Sequence, residues 1–305
     1  MFEGFESSTV DVGETTIFIR RKGTGLPLLL LHGFPETHLM WHAVAPALAD
    51  AFTVICADLR GYGASGKPPS TPDHRPYQKS AMARDMVHLM ERLGFSRFCV
   101  AGHDRGGRVA YRMALDHPDR VMRLAVLDII PTGEALARAD MRLALGYWPW
   151  SLLAQPEPLP ERMIEASADA VVDNALSGWG SDRSSFAPEL RAAYIDALRD
   201  GPTVHAICEE YRAAATLDFA QDMEDRKANR RIVCPTRALW GKDGPLDRWY
   251  TDVGGPLGVW RNWADDVGGR AVEGGHFFPE HNPRATITEL RAFFGCLEPI
   301  NESEL

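Results

Sequence analysis

Apolar residues fall into short runs separated by helical stretches, first up to about residue 131 and again after residue 230. Residues 15–21 alternate apolar and polar, the signature of a half-buried strand. The runs at 26–31, 52–57, 98–101 and 124–130 are almost continuously apolar, which suits strands buried on both faces of a parallel sheet. Between them, 40–49, 80–93 and 105–115 carry apolar residues at helical spacing. Strand and helix alternation of this kind predicts a parallel sheet with right-handed crossovers and helices on both faces.

The alternation stops at residue 132. Residues 132–226 are helical in pattern, contain Trp148, Trp150 and Trp179, and show no convincing strand. Strand character returns at 231–239, followed by a glycine loop at 241–244, a short run at 269–272 and a final helix near 284–294. The last segment has too few strands to form its own core. The reading is therefore one α/β core, residues 1–131 and 227–305, interrupted by a helical cap at 132–226.

A formal net charge of −9 argues against nucleic-acid binding, which relies on lysines and arginines neutralising phosphates. It leaves room for a small anionic substrate, because a few placed arginines set the field inside a cleft. The cysteines Cys56, Cys99, Cys208, Cys234 and Cys296 are odd in number and form no CxxC pair. They indicate neither a disulfide framework nor a zinc site and read as reduced apolar fillers. The histidines show no metal-ligand spacing, and Gly61-Tyr62-Gly63 is too short for a dinucleotide loop, so no metal or cofactor is expected. No basic start precedes an apolar run, and no apolar stretch is long enough to span a membrane. A cytoplasmic location is expected.

Gly102-His103-Asp104-Arg105-Gly106 follows an apolar strand and opens a helix. This G-x-Nuc-x-G spacing sets the central residue on a tight strand-to-helix turn, where the glycines relieve crowding. At the helix N-terminus the dipole and free N–H groups favour an ionised carboxylate. An aspartate there could be a simple helix cap. Two further features favour a nucleophile: the turn His32-Gly33-Phe34-Pro35 after an earlier strand, and Gly274-Gly275-His276 after the last one.

With these motifs the chain resembles the α/β-hydrolase superfamily over nearly its whole length. It looks most like the branch with an aspartate nucleophile: haloalkane dehalogenases, epoxide hydrolases and haloacetate (fluoroacetate) dehalogenases. Asp104-Arg105-Gly106-Gly107-Arg108 together with Leu127-Asp128-Ile129-Ile130-Pro131-Thr132 is closest to the haloacetate dehalogenases. The resemblance implies that Asp104 displaces halide from an sp³ carbon and that His276 activates water against the resulting ester. The backbone N–H groups of Phe34 and Arg105 would form the oxyanion hole. A homodimer is also what the resemblance implies.

Two residues compete for the acid behind His276. The resemblance puts it at Asp128, and a carboxylate between Leu127 and Ile129 would be costly without an imidazolium partner. Asp243 lies near the later strand end that many relatives use, although Asp243-Gly244 is also a common turn pair. Asp128 is favoured. Arg105 and Arg108 are three apart on one helix and share a face. Epoxide hydrolases of the branch usually carry an aromatic residue at the first of these positions. Two guanidinium groups suit a carboxylate held by bidentate hydrogen bonds, so the expected substrate is a small haloacid anion.

The resemblance places a His-Trp pair and a tyrosine around the leaving halide, which here points to Trp150 and Tyr211, with Trp148 as packing. Pro149 stands where the family has histidine, and its side chain offers no donor. Fluoride depends most on hydrogen bonds as a leaving group, so chloroacetate and bromoacetate are expected to turn over more easily than fluoroacetate. An epoxide hydrolase, with Tyr211 and Tyr147 as acids, is the nearest alternative. A noncatalytic small-molecule-binding protein on the same fold is the other.

Overall fold

A computed structural model describes residues 1–295 of the chain. The strands are β1 (Glu6–Asp11), β2 (Thr16–Lys22), β3 (Leu26–Leu31), β4 (Phe52–Ala57), β5 (Phe98–His103), β6 (Val121–Leu127), β7 (Thr236–Gly241) and β8 (Val267–Val272). They form an eight-stranded sheet in the order β1-β2-β4-β3-β5-β6-β7-β8. β2 is antiparallel to both β1 and β4, and every pairing from β4 through β8 is parallel. This is the mostly parallel sheet that the resemblance implies.

The continuous apolar runs follow from burial on both faces. Leu29, Leu31, Ile55, Ala57 and Val100 join one apolar cluster. Their neighbours Leu28, Leu30, Val54, Cys56, Cys99 and Ala101 join another. Successive side chains of a strand point to opposite faces, so a strand covered by helices on both sides has no polar position to spare.

Three departures from the sequence reading have local causes. β1 is almost wholly exposed and polar, so no periodicity marks it. The expected helix at 40–49 is two short pieces, His38–Ala43 and Ala45–Leu48, because Pro46 lacks an N–H and is accommodated only in a helix's first turn. The run at 231–239 pairs as a strand only from Thr236: Pro235 cannot donate to a ladder, and Ile232 makes an isolated bridge to Ala264.

Between β6 and β7 the chain is helical from Thr132–Ala137 to Phe219–Lys227. Among the described residues no helix is long and apolar enough to cross a membrane. Cys56, Cys99, Cys208 and Cys234 are buried and free of disulfides, whereas Cys296 lies outside the described residues. Arg112, on the helix Asp104–Asp116, ties the end of this helical segment to the helix that follows β5. Its guanidinium reaches Asp222 at 2.7 Å and Asp225 at 2.6 Å, and the Tyr111 hydroxyl donates to Asp222 at 2.8 Å. Removing one partner of such a buried pair strands the other charges. Arg112→Ala is therefore expected to lower stability by about 3–5 kcal/mol in urea denaturation. A loss below about 1 kcal/mol would show that the pair is as weak as a surface ion pair.

Candidate active site

β5 ends at His103 and the helix begins at Asp104 with φ +42°. An L residue held there costs on the order of 1–3 kcal/mol, and the turn survives because its surroundings leave no alternative. A Cβ on Gly102 would lie 2.4 Å from the Gly106 carbonyl oxygen, and one on Gly106 would lie 2.4 Å from the His32 oxygen. Gly33 is pressed equally close: its Cβ would meet the Asp104 Cβ at 2.5 Å. The elbow and the 32–35 turn are thus packed backbone against backbone, and the Phe34 N–H donates to Asp104 Oδ2 at 3.1 Å. Burial alone would raise the Asp104 pKa, but the charges of His276, Arg105 and Arg108 outweigh it and hold it below the ordinary value.

Beyond β8, Gly274 turns with φ +120° and delivers His276, whose backbone N–H donates to the Trp179 carbonyl at 2.9 Å. His276 Nδ1 meets Asp128 Oδ2 at 2.5 Å. A carboxylate only accepts, so Nδ1 carries the proton and Nε2 is the basic atom. Asp128 follows β6 with φ +53°, and its Oδ1 accepts from the Gly241 N–H at 2.8 Å. The Tyr147 hydroxyl stands 3.5 Å from Asp128 Oδ2. The other candidate, Asp243, sits in the turn after β7, where its N–H donates to Gly274 and it lines an outer cleft with Trp148 and Trp179.

Two buried histidines brace these turns. His32 Nδ1 donates to the Gly33 carbonyl at 2.9 Å and Nε2 accepts from the Leu59 N–H at 3.0 Å. Burial lowers its pKa to about 4, so it stays neutral. His103 Nε2 donates to the His276 carbonyl at 2.9 Å, while Nδ1 lies 3.1 Å from Glu36 Oε2. Burial pushes the Glu36 carboxyl up to about 8 against an opposing hydrogen bond with Glu280, whose own carboxyl is pushed up further by burial and by the Glu36 charge. Glu36 is two residues beyond Phe34, and nothing in the sequence reading marked it.

Asp104, Arg108, Asp128 and His276 line one cavity with Ile129, Ile130, Ala135, Leu143, Tyr147, Trp150, Leu246 and Tyr250. Its free space is about 20 Å³. That is little more than one water requires. Larger outer clefts, of about 450 and 550 Å³, hold none of these four ionisable groups. Tyr250, which adds a phenol to the cavity, also went unmarked in the sequence reading; its φ of +62° is visible only in the fold.

The two arginines have different surroundings. Arg108 is nearly buried, donates to the Ile130 carbonyl at 2.9 Å and lies 4.4 Å from the Trp150 ring centre. No carboxylate among the described residues pairs with it, and its Nε has no partner. Arg105 does not line the cavity; its Nε and Nη2 are taken by Glu210 at 2.5–2.9 Å, leaving Nη1 alone unpaired. Its Cζ lies 3.9 Å from the Tyr211 ring centre and 5.2 Å from that of Trp150. Trp150 and Tyr211 thus flank the guanidinium groups. Pro149 is buried at the start of the short helix Pro149–Leu152. Among the described residues no group of three or more His, Cys, Asp and Glu side chains could hold a metal ion.

A family model described as the α/β hydrolase fold matches residues 27–255. A fluoroacetate dehalogenase from Burkholderia sp is 45% identical over 96% of this chain and 95% of its own. A soluble epoxide hydrolase from Corynebacterium sp. (strain C12) is 32% identical over 90% of this chain and 92% of its own. Among solved structures, a protein from Nostoc sp PCC 7120 described as an α/β hydrolase superposes with a TM-score of 0.93. It is 45% identical, covering 97% of this chain and all of the other.

The protonated Glu36 has a measurable consequence. Its folded pKa of about 8 lies above the ordinary 4.5. The stability that depends on its proton is therefore fully present below pH 4.5 and lost as pH rises toward 8. Glu36→Gln, made in a Glu280→Gln parent so that the neighbouring raised carboxyl does not titrate as well, removes this titration while keeping a donor for His103. In denaturant melts at pH 5 and pH 8, the variant should gain on the parent at the higher pH. A gap independent of pH would mean that Glu36 is already ionised in the fold.

Proposed function

We propose that this chain, which belongs to the α/β-hydrolase family, hydrolyses the carbon–halogen bond of a haloacetate or short 2-haloacid. The products are the 2-hydroxyacid and halide. The observation that carries this reading is Arg108: a nearly buried guanidinium beside Asp104 with no carboxylate of its own. An unmatched buried cation is expensive, and a substrate carboxylate would offset that cost. The cavity's small size favours a short acid over a long one, admitted as the lining side chains give way.

Asp104 attacks through the oxygen that Phe34 does not hold. It forms a bond to the halogen-bearing carbon while halide departs with the bonding pair, leaving an aspartyl ester. His276 Nε2 then takes a proton from water, and the hydroxide adds to the Asp104 carboxyl carbon. The resulting oxyanion is held by the Phe34 and Arg105 N–H groups, in keeping with the Phe34 contact to Oδ2. Collapse expels the hydroxyacid oxygen, which takes the proton from His276, and Asp104, left as the acid, loses its proton to water and is restored. Asp128 orients the imidazole and offsets its transient charge. Arg108 holds the substrate carboxylate, and Arg105, set back behind the cavity-lining Trp150, meets it with Nη1. Trp150 Nε1 and the Tyr211 hydroxyl receive the halide, and Pro149 contributes no donor there.

Epoxide hydrolysis by the same nucleophile would call for phenols directed at the epoxide oxygen. Tyr147 instead points its hydroxyl at Asp128, and a neutral epoxide would leave Arg108 unmatched. A purely binding role would leave the Asp128–His276 pair beside Asp104 without a purpose.

Halide release from fluoro-, chloro- and bromoacetate, beside an epoxide panel, tests the reading. Chloride and bromide should be released faster than fluoride, and Asp104→Asn should release none beyond a single equivalent. Faster fluoride release would refute the role given to Pro149, while turnover of epoxides alone would refute the dehalogenase reading. Arg108→Met should raise KM for chloroacetate about 100-fold, the value of a desolvated charge-assisted pair. Chloroacetamide, which has no charge, should respond little; an equal response would remove Arg108 from carboxylate binding.

A further inference from the structure

Arg105 and Arg108 are both expected to bind the substrate carboxylate, yet most of the Arg105 guanidinium is already committed. Glu210, fully buried on the helix Gly201–Ala213, accepts from Arg105 Nε at 2.8 and 2.9 Å and from Nη2 at 2.5 Å. The same carboxylate accepts from Lys79 Nζ, and from the Tyr62 hydroxyl at 3.4 Å. Lys79 is also fully buried and is held by Asp218, which takes its backbone N–H at 2.8 Å and lies 3.5 Å from Nζ. Tyr211, the next residue after Glu210, covers one face of the guanidinium at 3.9 Å. Consecutive cap residues therefore fix its edge and its plane, and the only nitrogen left over is Nη1, buried and without a partner.

We propose that Glu210, anchored by Lys79, is a positioning residue that fixes Arg105 so that Nη1 alone is offered to the substrate carboxylate. This rests on the haloacid reading given above and divides the work between the two arginines. Lys79 and Arg105 stand opposite Glu210 and Asp218, and burial with the neighbouring Arg105 charge pushes the Lys79 ammonium well below its ordinary range, so this group offers an anion no excess positive charge. Arg108 supplies the net attraction for an anion, and Arg105 supplies orientation. The charge on Glu210 also limits how strongly an anion is held.

The two roles separate in a single variant. Glu210→Gln removes one negative charge and loosens the fork under Arg105, while Asp218 still holds Lys79. Acetate, which has the carboxylate but no halogen, probes binding without turnover and can be titrated by tryptophan fluorescence. The variant should bind acetate as tightly as the parent or more tightly. Its kcat for chloroacetate should fall at least about tenfold, since a misplacement near 1 Å can cost about 100-fold. Merely structural damage would weaken acetate binding and slow turnover in step, which would overturn the proposal. So would a kcat within twofold of the parent. If the parent itself binds no acetate, the haloacid reading fails and this proposal falls with it. If the parent binds acetate and releases chloride while Glu210→Gln matches it, only the role of Glu210 is lost. Glu210→Asp covers the case in which the first variant does not fold: it keeps the charge but draws the carboxylate back by one methylene. It should preserve acetate affinity and lower kcat, and parent-like turnover would again overturn the proposal.

Discussion

The contact between Gly33 and Asp104 sets the geometry of everything around it. Two chain reversals, one after β3 and one after β5, meet with so little space that a methyl group on Gly33 would collide with the Asp104 side chain. That closeness brings the Phe34 N–H to the Asp104 carboxylate, and it requires the strained φ of +42° at Asp104. The parallel pairing of β3 with β5 places both turns at the same edge of the sheet. β6 and β8 end at that edge as well, which is why Asp128 and His276 arrive beside the nucleophile.

Around this frame the fold manages charge by pairing nearly all of it. Arg60 is matched by Asp85, Arg112 by Asp222 and Asp225, and Lys79 with Arg105 by Glu210 and Asp218. Glu36 avoids the problem by keeping its proton. Against that background Arg108 is conspicuous: Asp104 acts on it only across the cavity, and among the described residues no carboxylate makes a contact ion pair with it. Its own pKa is lowered, first by burial and then by repulsion from Arg105, so an incoming anion relieves both costs. Desolvation thus favours a charged substrate over a neutral one.

How much of this the sequence revealed depended on the range of the interactions. β3 and β4 were legible to the residue because burial on both faces leaves an unbroken apolar run. The elbow was legible because backbone crowding demands glycine at fixed spacing on either side of Asp104. β1 was not, since an exposed edge strand carries no apolar pattern. Helical spacing rightly put Arg105 and Arg108 on one face but could not show that Glu210, over a hundred positions away, occupies the first of them. Glu36 and Tyr250 escaped for the same reason: their roles come from tertiary contacts to His103 and the cavity.

The central claim is that the Asp104 carboxylate, and not water, attacks the substrate carbon. A single turnover of excess enzyme with chloroacetate in ¹⁸O-labelled water tests it directly. The account predicts unlabelled glycolate, its new oxygen drawn from Asp104, with the label recovered in the peptide that contains Asp104. Label in the glycolate and none in that peptide would contradict it, making water the nucleophile and Asp104 its base.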